Sequence, residues 1–208
     1  MMAFSMNASA LVGDTQSWIL NVSGASESQG TGPWGTVTAT VLSDTSLSMN
    51  VTLQAPAVGF LSTSENHNAF VFSLANDGTP GTVSNLTAGF VAGLSAINTP
   101  FGTFSNSIVC SVCGNGGGNP YTGPLNFTIT DAGGISLSSF VLSTPPPAGQ
   151  GGWLFSADIM ANGNTGNVAT NTPAIPEPET YAMMLAGLGL LGFVARRRRQ
   201  VFGNSVSA

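Results

Sequence analysis

The chain of 208 residues lacks lysine altogether, and its only basic side chains besides one histidine are four consecutive arginines, Arg196, Arg197, Arg198 and Arg199. Only 6% of the residues are charged, against roughly 25% in a typical soluble domain. Residues 1–195 therefore carry carboxylates but no permanently charged cationic side chain. Because Lys and Arg displace the counterions of phosphates, nucleic-acid binding by this part of the chain is excluded. Lysine Schiff-base chemistry is excluded as well, and a phosphoryl-transfer site would lack its usual cations.

Strong helix formers in a 3.6-residue pattern are also scarce before residue 175, which argues against a mainly helical domain. Hydrophobic residues nevertheless make up 42% of the sequence, which favours a buried core over a disordered chain. Small β-branched and hydroxyl residues between glycine-rich turns are typical of an all-β domain. We expect an antiparallel β-sandwich over residues 17–160, with a jelly roll as one possible arrangement.

The clearest strand pattern spans residues 35–54, where apolar and polar side chains alternate. Val37, Ala39 and Val41 alternate with threonines, and the same alternation resumes at Leu47 and Met49 after a short, turn-prone connector. Period-two alternation on both sides of a short turn predicts an antiparallel hairpin.

Further strands are expected at residues 17–22, 68–74, 101–109, 125–130, 135–142 and 153–160. The apolar positions of 135–142 change phase between Leu137 and Phe140. A β-bulge near Ser138-Ser139 would bring both halves, Leu142 included, to one face of the sheet.

The composition changes at both ends of this domain. Residues 161–174 are rich in Asn, Gly and Thr, which predicts a flexible linker. Residues 1–16 are expected to be a disordered start or the remnant of an export signal. Met1–Ala10 has neither a basic start nor an apolar stretch of roughly 7–15 residues, although Ala8-Ser9-Ala10 resembles a cleavage site. We expect the true start upstream of Met1, with a non-exported relic as the alternative.

A separate pattern begins at Ile175, where Pro176-Glu177-Pro178 holds the chain extended. The uncharged, mostly apolar run 182–195 follows, and the four arginines come directly after it. The apolar run would partition into lipid. Placing each Arg at the bilayer centre, by contrast, costs roughly 2.5–3.5 kcal/mol of free energy. The arginine cluster is therefore expected to act as a stop-transfer signal and to stay on the cytoplasmic side. As a helix the run spans only about 21 Å, short of a ~30 Å hydrocarbon core. A buried core helix is therefore the alternative to a membrane span.

The whole segment resembles the PEP-CTERM sorting module. The resemblance covers residues 175–199 and rests on the order of its parts, which are Pro176, Glu177, Pro178, Thr180, Tyr181, the Gly/Leu/Ala-rich run and the stop-transfer residues Arg196, Arg197, Arg198 and Arg199. It implies an exported bacterial protein linked to extracellular polysaccharide and the biofilm matrix. It also implies a partner, the membrane protease exosortase, which recognises Pro-Glu-Pro and cuts nearby. The precursor would lie in the inner membrane through helix 182–195, with residues 200–208 as a cytoplasmic tail. The released domain would lie at the cell surface or outside the cell.

Cys110 and Cys113 form a single C-x-x-C pair. A closed zinc site needs two more ligands, and His67 is the one histidine of the chain. The glycine-rich residues 114–118 that follow do not favour the helix start of a redox-active pair. In an oxidising compartment the pair is expected to form a local disulfide.

His67 could act as a general base if an acid oriented it, but the sequence has no G-x-S-x-G elbow for a serine nucleophile. A packing or surface role is the alternative.

A pair of carboxylates could hydrolyse glycosides, although sequence spacing says nothing about their geometry. The candidates are Asp14, Glu27, Asp44, Glu65, Asp77, Asp131 and Asp158. Calcium could bind the oxygen-rich turns at 76–78 and 162–164, but turn formation explains these residues equally well.

The three tryptophans divide into two groups. Trp18 and Trp153 hold strand positions and are expected in the core, whereas Trp34 follows a Gly-Pro pair and is the candidate for an exposed platform that contacts glycans. We assign no catalytic residue, metal or cofactor. The leading expectation is a non-enzymatic exported β-domain of the cell surface or matrix. A carbohydrate-binding module for exopolysaccharide and a secreted glycoside hydrolase are the alternatives.

Overall fold

The computed structural model describes residues 11–24, 28–62, 67–75, 82–114, 118–144 and 152–170. Strands make up the regular structure of these ranges, apart from one turn of 3-10 helix at Leu137–Ser139. All strand pairs are antiparallel, which confirms the predicted all-β class. The strands are β1 (Thr15–Leu20), β2 (Val22–Ser23), β3 (Gly35–Ser43), β4 (Ser46–Leu53), β5 (Ala57–Phe60), β6 (Phe70–Leu74), β7 (Thr82–Ser84), β8 (Phe90–Gly93), β9 (Ala96–Ile97), β10 (Thr103–Phe104), β11 (Asn106–Cys110), β12 (Leu125–Thr130), β13 (Phe140–Val141), β14 (Phe155–Ala161) and β15 (Asn164–Ala169).

A five-stranded sheet has the order β1-β3-β4-β12-β7. Its centre is the hairpin of β3 and β4, which confirms the prediction for residues 35–54. Val37 pairs with Val51, and Ala39 pairs with Met49, so the apolar residues of both strands point to one side. The strict alternation of the sequence therefore fixes which face of this sheet is buried.

The second sheet has the order β2-β15-β14-β6-β11-β8, with β5 paired to β14 and β13 paired to β6. β9 and β10 form a separate two-stranded ribbon. All five residues of β6 are buried, because both faces of this strand are covered. Phe70, Phe72 and Leu74 pack in the main core between the two larger sheets. On the opposite side, Val71 packs in a smaller cluster with Phe101, Phe104 and Trp153.

The two larger sheets face each other across one hydrophobic core, as in a sandwich. Phe127 of the first sheet stacks on Phe72 of the second, with ring centroids 5.8 Å apart. Trp18 meets Phe155 edge to face at 4.9 Å. Such aromatic contacts add to the free energy gained by removing the rings from water. A jelly-roll order of the strands stays a prediction.

The predicted linker is wrong for residues 161–170. β14 and β15 form a hairpin whose turn is Asn162-Gly163, with φ values of 50° and 77°. Two successive residues with positive φ make the type I′ geometry that matches the twist of paired strands, and Asn-Gly is its preferred sequence. The compact unit accordingly extends to Pro173, and residues from Ala174 form a second unit. At the other end, β1 already begins at Thr15, inside the predicted disordered start.

The predicted β-bulge at Ser138-Ser139 is also wrong. One turn of 3-10 helix at Leu137–Ser139 lies between Ile135 and Phe140, and it brings Ile135, Leu137 and Phe140 into the core. Leu142, which the bulge would have turned inward, is 60% exposed. In the first predicted strand Trp18 and Leu20 point inward as expected, whereas Val22 belongs to β2 in the other sheet.

Candidate functional site

The single histidine of the chain lies beside a buried carboxylate. Nδ1 of His67 is 3.8 Å from Oδ1 of Asp158, and the exposed fractions of the two side chains are 25% and 0%. Asp158 lies on β14, and its backbone joins Asn68 and Leu61 through hydrogen bonds of 3.2 and 2.9 Å. The acid that could orient His67 is thus Asp158, one of the candidate acids of the sequence, although no sequence pattern connects it to the histidine.

Next to this pair lies a buried cluster of neutral polar side chains centred on Asn98. Oδ1 of Asn98 accepts a hydrogen bond of 2.8 Å from the backbone N–H of Asn68. Its amide nitrogen donates to the carbonyl of Asn68, to Ser156 Oγ and to Asn167 Oδ1, at 3.1, 3.4 and 3.3 Å. Asn167 in turn donates to the carbonyl of Thr99 at 2.8 Å. These bonds hold the loop between β9 and β10 against β14 and β15.

An open pocket of about 760 Å³ lies beside the β9–β10 ribbon. No lining residue is charged, and the lining combines hydroxyl and amide groups with small apolar side chains. Leu94 and Ile97 line the pocket and are 78% and 45% exposed. A pocket of this size falls within the range of small-ligand sites, and its chemistry suits an uncharged ligand.

Two of the four described carboxylates of the domain accept hydrogen bonds within turns. Asp14 accepts a 2.7 Å bond from the backbone N–H of Leu11, and Asp131 accepts a 2.8 Å bond from that of Gly133. Within the described residues no group of three or more His, Cys, Asp or Glu could hold a metal ion. Of the candidate calcium turns, 162–164 is the hairpin turn of β14 and β15. The turn at 76–78, with Asp77, lies outside the described residues, as do Glu27 and Glu65.

Cys110 and Cys113 are joined in a disulfide, with their Cα atoms 5.4 Å apart. Cys110 ends β11 and is 5% exposed, so the bond fixes the start of the following loop to a core strand. Sγ of Cys113 also lies 3.3 Å from the carbonyl oxygen of Phe60 in β5.

The prediction of an exposed platform at Trp34 is wrong. Trp34 is 2% exposed and belongs to the main core, and its indole N–H donates to the carbonyl of Gln29 at 3.3 Å. The residue directly precedes β3, where the chain enters the sheet, and its ring turns inward to the core. Trp18 and Trp153 are buried, as their strand positions predict.

Comparison with known protein families matches residues 174–199 to the PEP-CTERM protein-sorting motif. The chain carries a PEP-CTERM sorting motif. The match confirms the resemblance found in the sequence, and it falls within the second unit, Ala174–Ala208. Neither the curated proteins nor the solved structures contain a match to the chain. The PEP-CTERM motif implies an exported, membrane-transiting protein that is destined for the cell surface and processed by an exosortase.

The residues of the sorting motif lie outside the described part of the structure, so their predicted roles stay predictions. They are Pro176, Glu177, Pro178, Thr180, Tyr181, the predicted helix 182–195 and the stop-transfer residues Arg196, Arg197, Arg198 and Arg199. Among the described residues, no helix has both the length and the apolar character needed to cross a membrane. The sorting motif is thus identified from its sequence pattern, whereas the β-domain is described by the structure.

Proposed function

We propose that the β-domain is a non-enzymatic structural or interaction protein of the cell surface or extracellular matrix, linked there to exopolysaccharide. The sorting motif at residues 174–199 carries this proposal. The precursor is held in the inner membrane by helix 182–195, with the arginines of residues 196–199 on the cytoplasmic side, because arginine clusters resist transfer across the bilayer. Exosortase cleavage near Pro176–Pro178 then releases the domain.

A non-enzymatic role is supported by how the polar groups of the domain are used. The side chains of Asn98 and Asn167 form hydrogen bonds with backbone groups and with each other. A buried network of this kind holds the fold together. Asp14 and Asp131 accept bonds from nearby backbone N–H groups, which is a common use of carboxylates in turns.

Cell fractionation with intact-mass measurement tests the sorting part of the proposal. We expect the surface form to end near Thr180 and to lack the four arginines. A Pro178→Ala variant should accumulate as uncut precursor in the membrane, whereas Pro173→Ala, just outside the motif, should be processed normally. An exported protein that still carries residues 196–199 would overturn the proposed processing.

A carbohydrate-binding role is the second candidate, and the neutral pocket beside the β9–β10 ribbon favours it. Pull-down with neutral exopolysaccharide tests this role. Leu94→Arg would place a charge in the pocket and should weaken retention, whereas Val112→Arg, at an exposed position that is not part of the pocket lining, should not. Equal retention of both variants would remove the pocket from consideration.

A further inference from the structure

Both ends of the segment that joins β5 to β6 are attached to a single residue of β14. The backbone N–H of Leu61 donates to the carbonyl of Asp158 at 2.9 Å, and the backbone N–H of Asp158 donates to the carbonyl of Asn68 at 3.2 Å. His67, directly before Asn68, adds a side-chain contact, with its Nδ1 3.8 Å from Oδ1 of Asp158. We call these three contacts to Asp158 the latch. The latch fixes residues 61–62 and 67–68 to the second sheet.

The residues held by the latch belong to the neutral pocket. Ser62 and Asn68 line this pocket together with residues of the β9–β10 ribbon. Asn68 is also held by Asn98, whose Oδ1 accepts a hydrogen bond of 2.8 Å from its backbone N–H. That bond joins two groups that do not titrate. Among the described residues that line the pocket or form the latch, the ionisable side chains are those of His67 and Asp158.

The elements packed around the pair bring neutral side chains to it. β14 places Ser156 on the same face as Asp158, β15 pairs Asn167 with Asp158, and Asn98 contacts both neighbours. The other described titratable side chains lie in turns of the first sheet or against the main core, and they are Asp14, Asp44, Asp131 and Tyr121. Glu65, two residues before His67 in the sequence, lies outside the described residues, so the experiment includes it as a control.

The proton held by this pair sets the net charge inside the latch. With one proton between them, the imidazole and the carboxylate are neutral together. Loss of the proton leaves a negative charge on a side chain that is 0% exposed and removes the positive charge that faces it. Such a buried charge is costly, and residues 1–195 have no Lys or Arg that could replace the imidazolium. The folded chain therefore keeps the proton to a higher pH than the unfolded chain, where histidine releases it near about pH 6.5.

We propose that the His67–Asp158 pair is a proton-dependent lock on the wall of the neutral pocket. The latch is closed while the pair holds its proton, and loss of the proton breaks the two backbone bonds at Asp158. A proton that the closed form binds more tightly stabilises that form at low pH, and the stabilisation is lost as the pH rises. The equilibrium constant for opening should rise up to about tenfold per pH unit above about pH 6.5. The inference goes beyond the proposed function, because it depends neither on exosortase cleavage nor on what the pocket binds.

Hydrogen exchange followed by NMR on the purified 208-residue chain measures the opening of the latch. The N–H groups of Leu61 and Asp158 report on opening, because both donate within the latch. The N–H of Val41, which donates to the carbonyl of Asp14 beside the first sheet, reports on the rest of the domain. After correction for the base-catalysed exchange of an unstructured peptide, protection of Leu61 and Asp158 should fall relative to Val41 by up to about tenfold per pH unit above about pH 6.5.

Two variants should remove this pH dependence. His67→Gln takes away the titrating imidazole, and Asp158→Asn takes away the negative charge that holds its proton. Glu65→Gln is the matched control and should keep the pH dependence of the unmodified chain. Near-ultraviolet circular dichroism checks that each variant is folded, and Asp158→Asn supplies the result if His67→Gln does not fold.

Three outcomes would overturn the proposal. The first is a protection of Leu61 and Asp158 that stays constant relative to Val41 over this pH range in the unmodified chain. The second is the same fall in folded His67→Gln or Asp158→Asn as in the unmodified chain. The third is loss of the fall in Glu65→Gln, which would assign the proton to Glu65. Fractionation tests the proposed function separately, so the two can fail independently.

Discussion

The carboxylate of Asp158 meets the imidazole of His67 at 3.8 Å on the side of β14 that faces away from the main core. Residues 1–195 contain no Lys or Arg, so His67 is the one side chain in that part of the sequence able to offer this buried carboxylate a positive charge. A buried carboxylate is costly unless it is paired or hydrogen-bonded. Removal of one partner of this pair is therefore expected to destabilise the segment around Leu61 and Asn68, whose backbone bonds to that of Asp158.

We expect His67→Gln to lower the free energy of unfolding by about 1–3 kcal/mol, because it removes a charge-capable partner from a buried carboxylate. Urea denaturation of the single variants and of the double variant with Asp158→Asn measures the coupling. The double variant should lose less than the sum of the two single losses. If the loss in the double variant equals the sum of the two single losses within about 0.3–0.5 kcal/mol, the two side chains do not interact.

Asn98 makes a second testable contribution, because its side chain joins the β9–β10 loop to Ser156 of β14, to Asn167 of β15 and to the backbone of Asn68. Asn98→Leu should lower the free energy of unfolding by about 3 kcal/mol, since it leaves more than one buried polar group unsatisfied. Asn21→Ala, at an exposed asparagine, is the control and should change it by no more than about 0.5 kcal/mol. Equal effects of the two substitutions would contradict the structural role of Asn98.

The sequence predicts the local parts of this fold well, because alternation and turn chemistry act over short distances. The hairpin at residues 35–54 and strand β12 follow directly from period-two patterns. The hairpin of β14 and β15 was predictable in the same way, since Asn162-Gly163 is a strong turn signal. Composition alone suggested a linker there, and the turn chemistry overrides it.

The partners of buried polar side chains could not be predicted from the sequence. His67 and Asp158, or Asn98 and Asn167, are distant along the chain and meet only when the second sheet assembles. Trp34 shows the same limit, because a Gly-Pro pair predicts a loop but not whether the following ring points into the core. Pairings of this kind depend on topology, which strand patterns do not determine.

The disulfide between Cys110 and Cys113 closes a very short loop, and this limits what it can add to stability. We expect replacement of both residues by serine to lower the free energy of unfolding by about 2 kcal/mol, because short loops restrict the unfolded chain only modestly. Thiol titration of the unfolded, unreduced exported protein should detect no free thiol. Two free thiols per chain would contradict the bond.

The turn at Asn162-Gly163 allows the energetic cost of backbone strain to be measured separately from the cost of a steric clash. Gly163 has a φ of 77°, and a Cβ built there meets nothing within 4 Å, so a substitution acts through the backbone and not through a clash. Gly163→Val should lower the free energy of unfolding by about 1–2 kcal/mol, the cost of the left-handed region for a residue with a Cβ. Gly163→Asn should cost clearly less, because asparagine tolerates this region. Thermal denaturation of both variants measures the difference, and equal losses would show that the positive φ is not what selects glycine at this position.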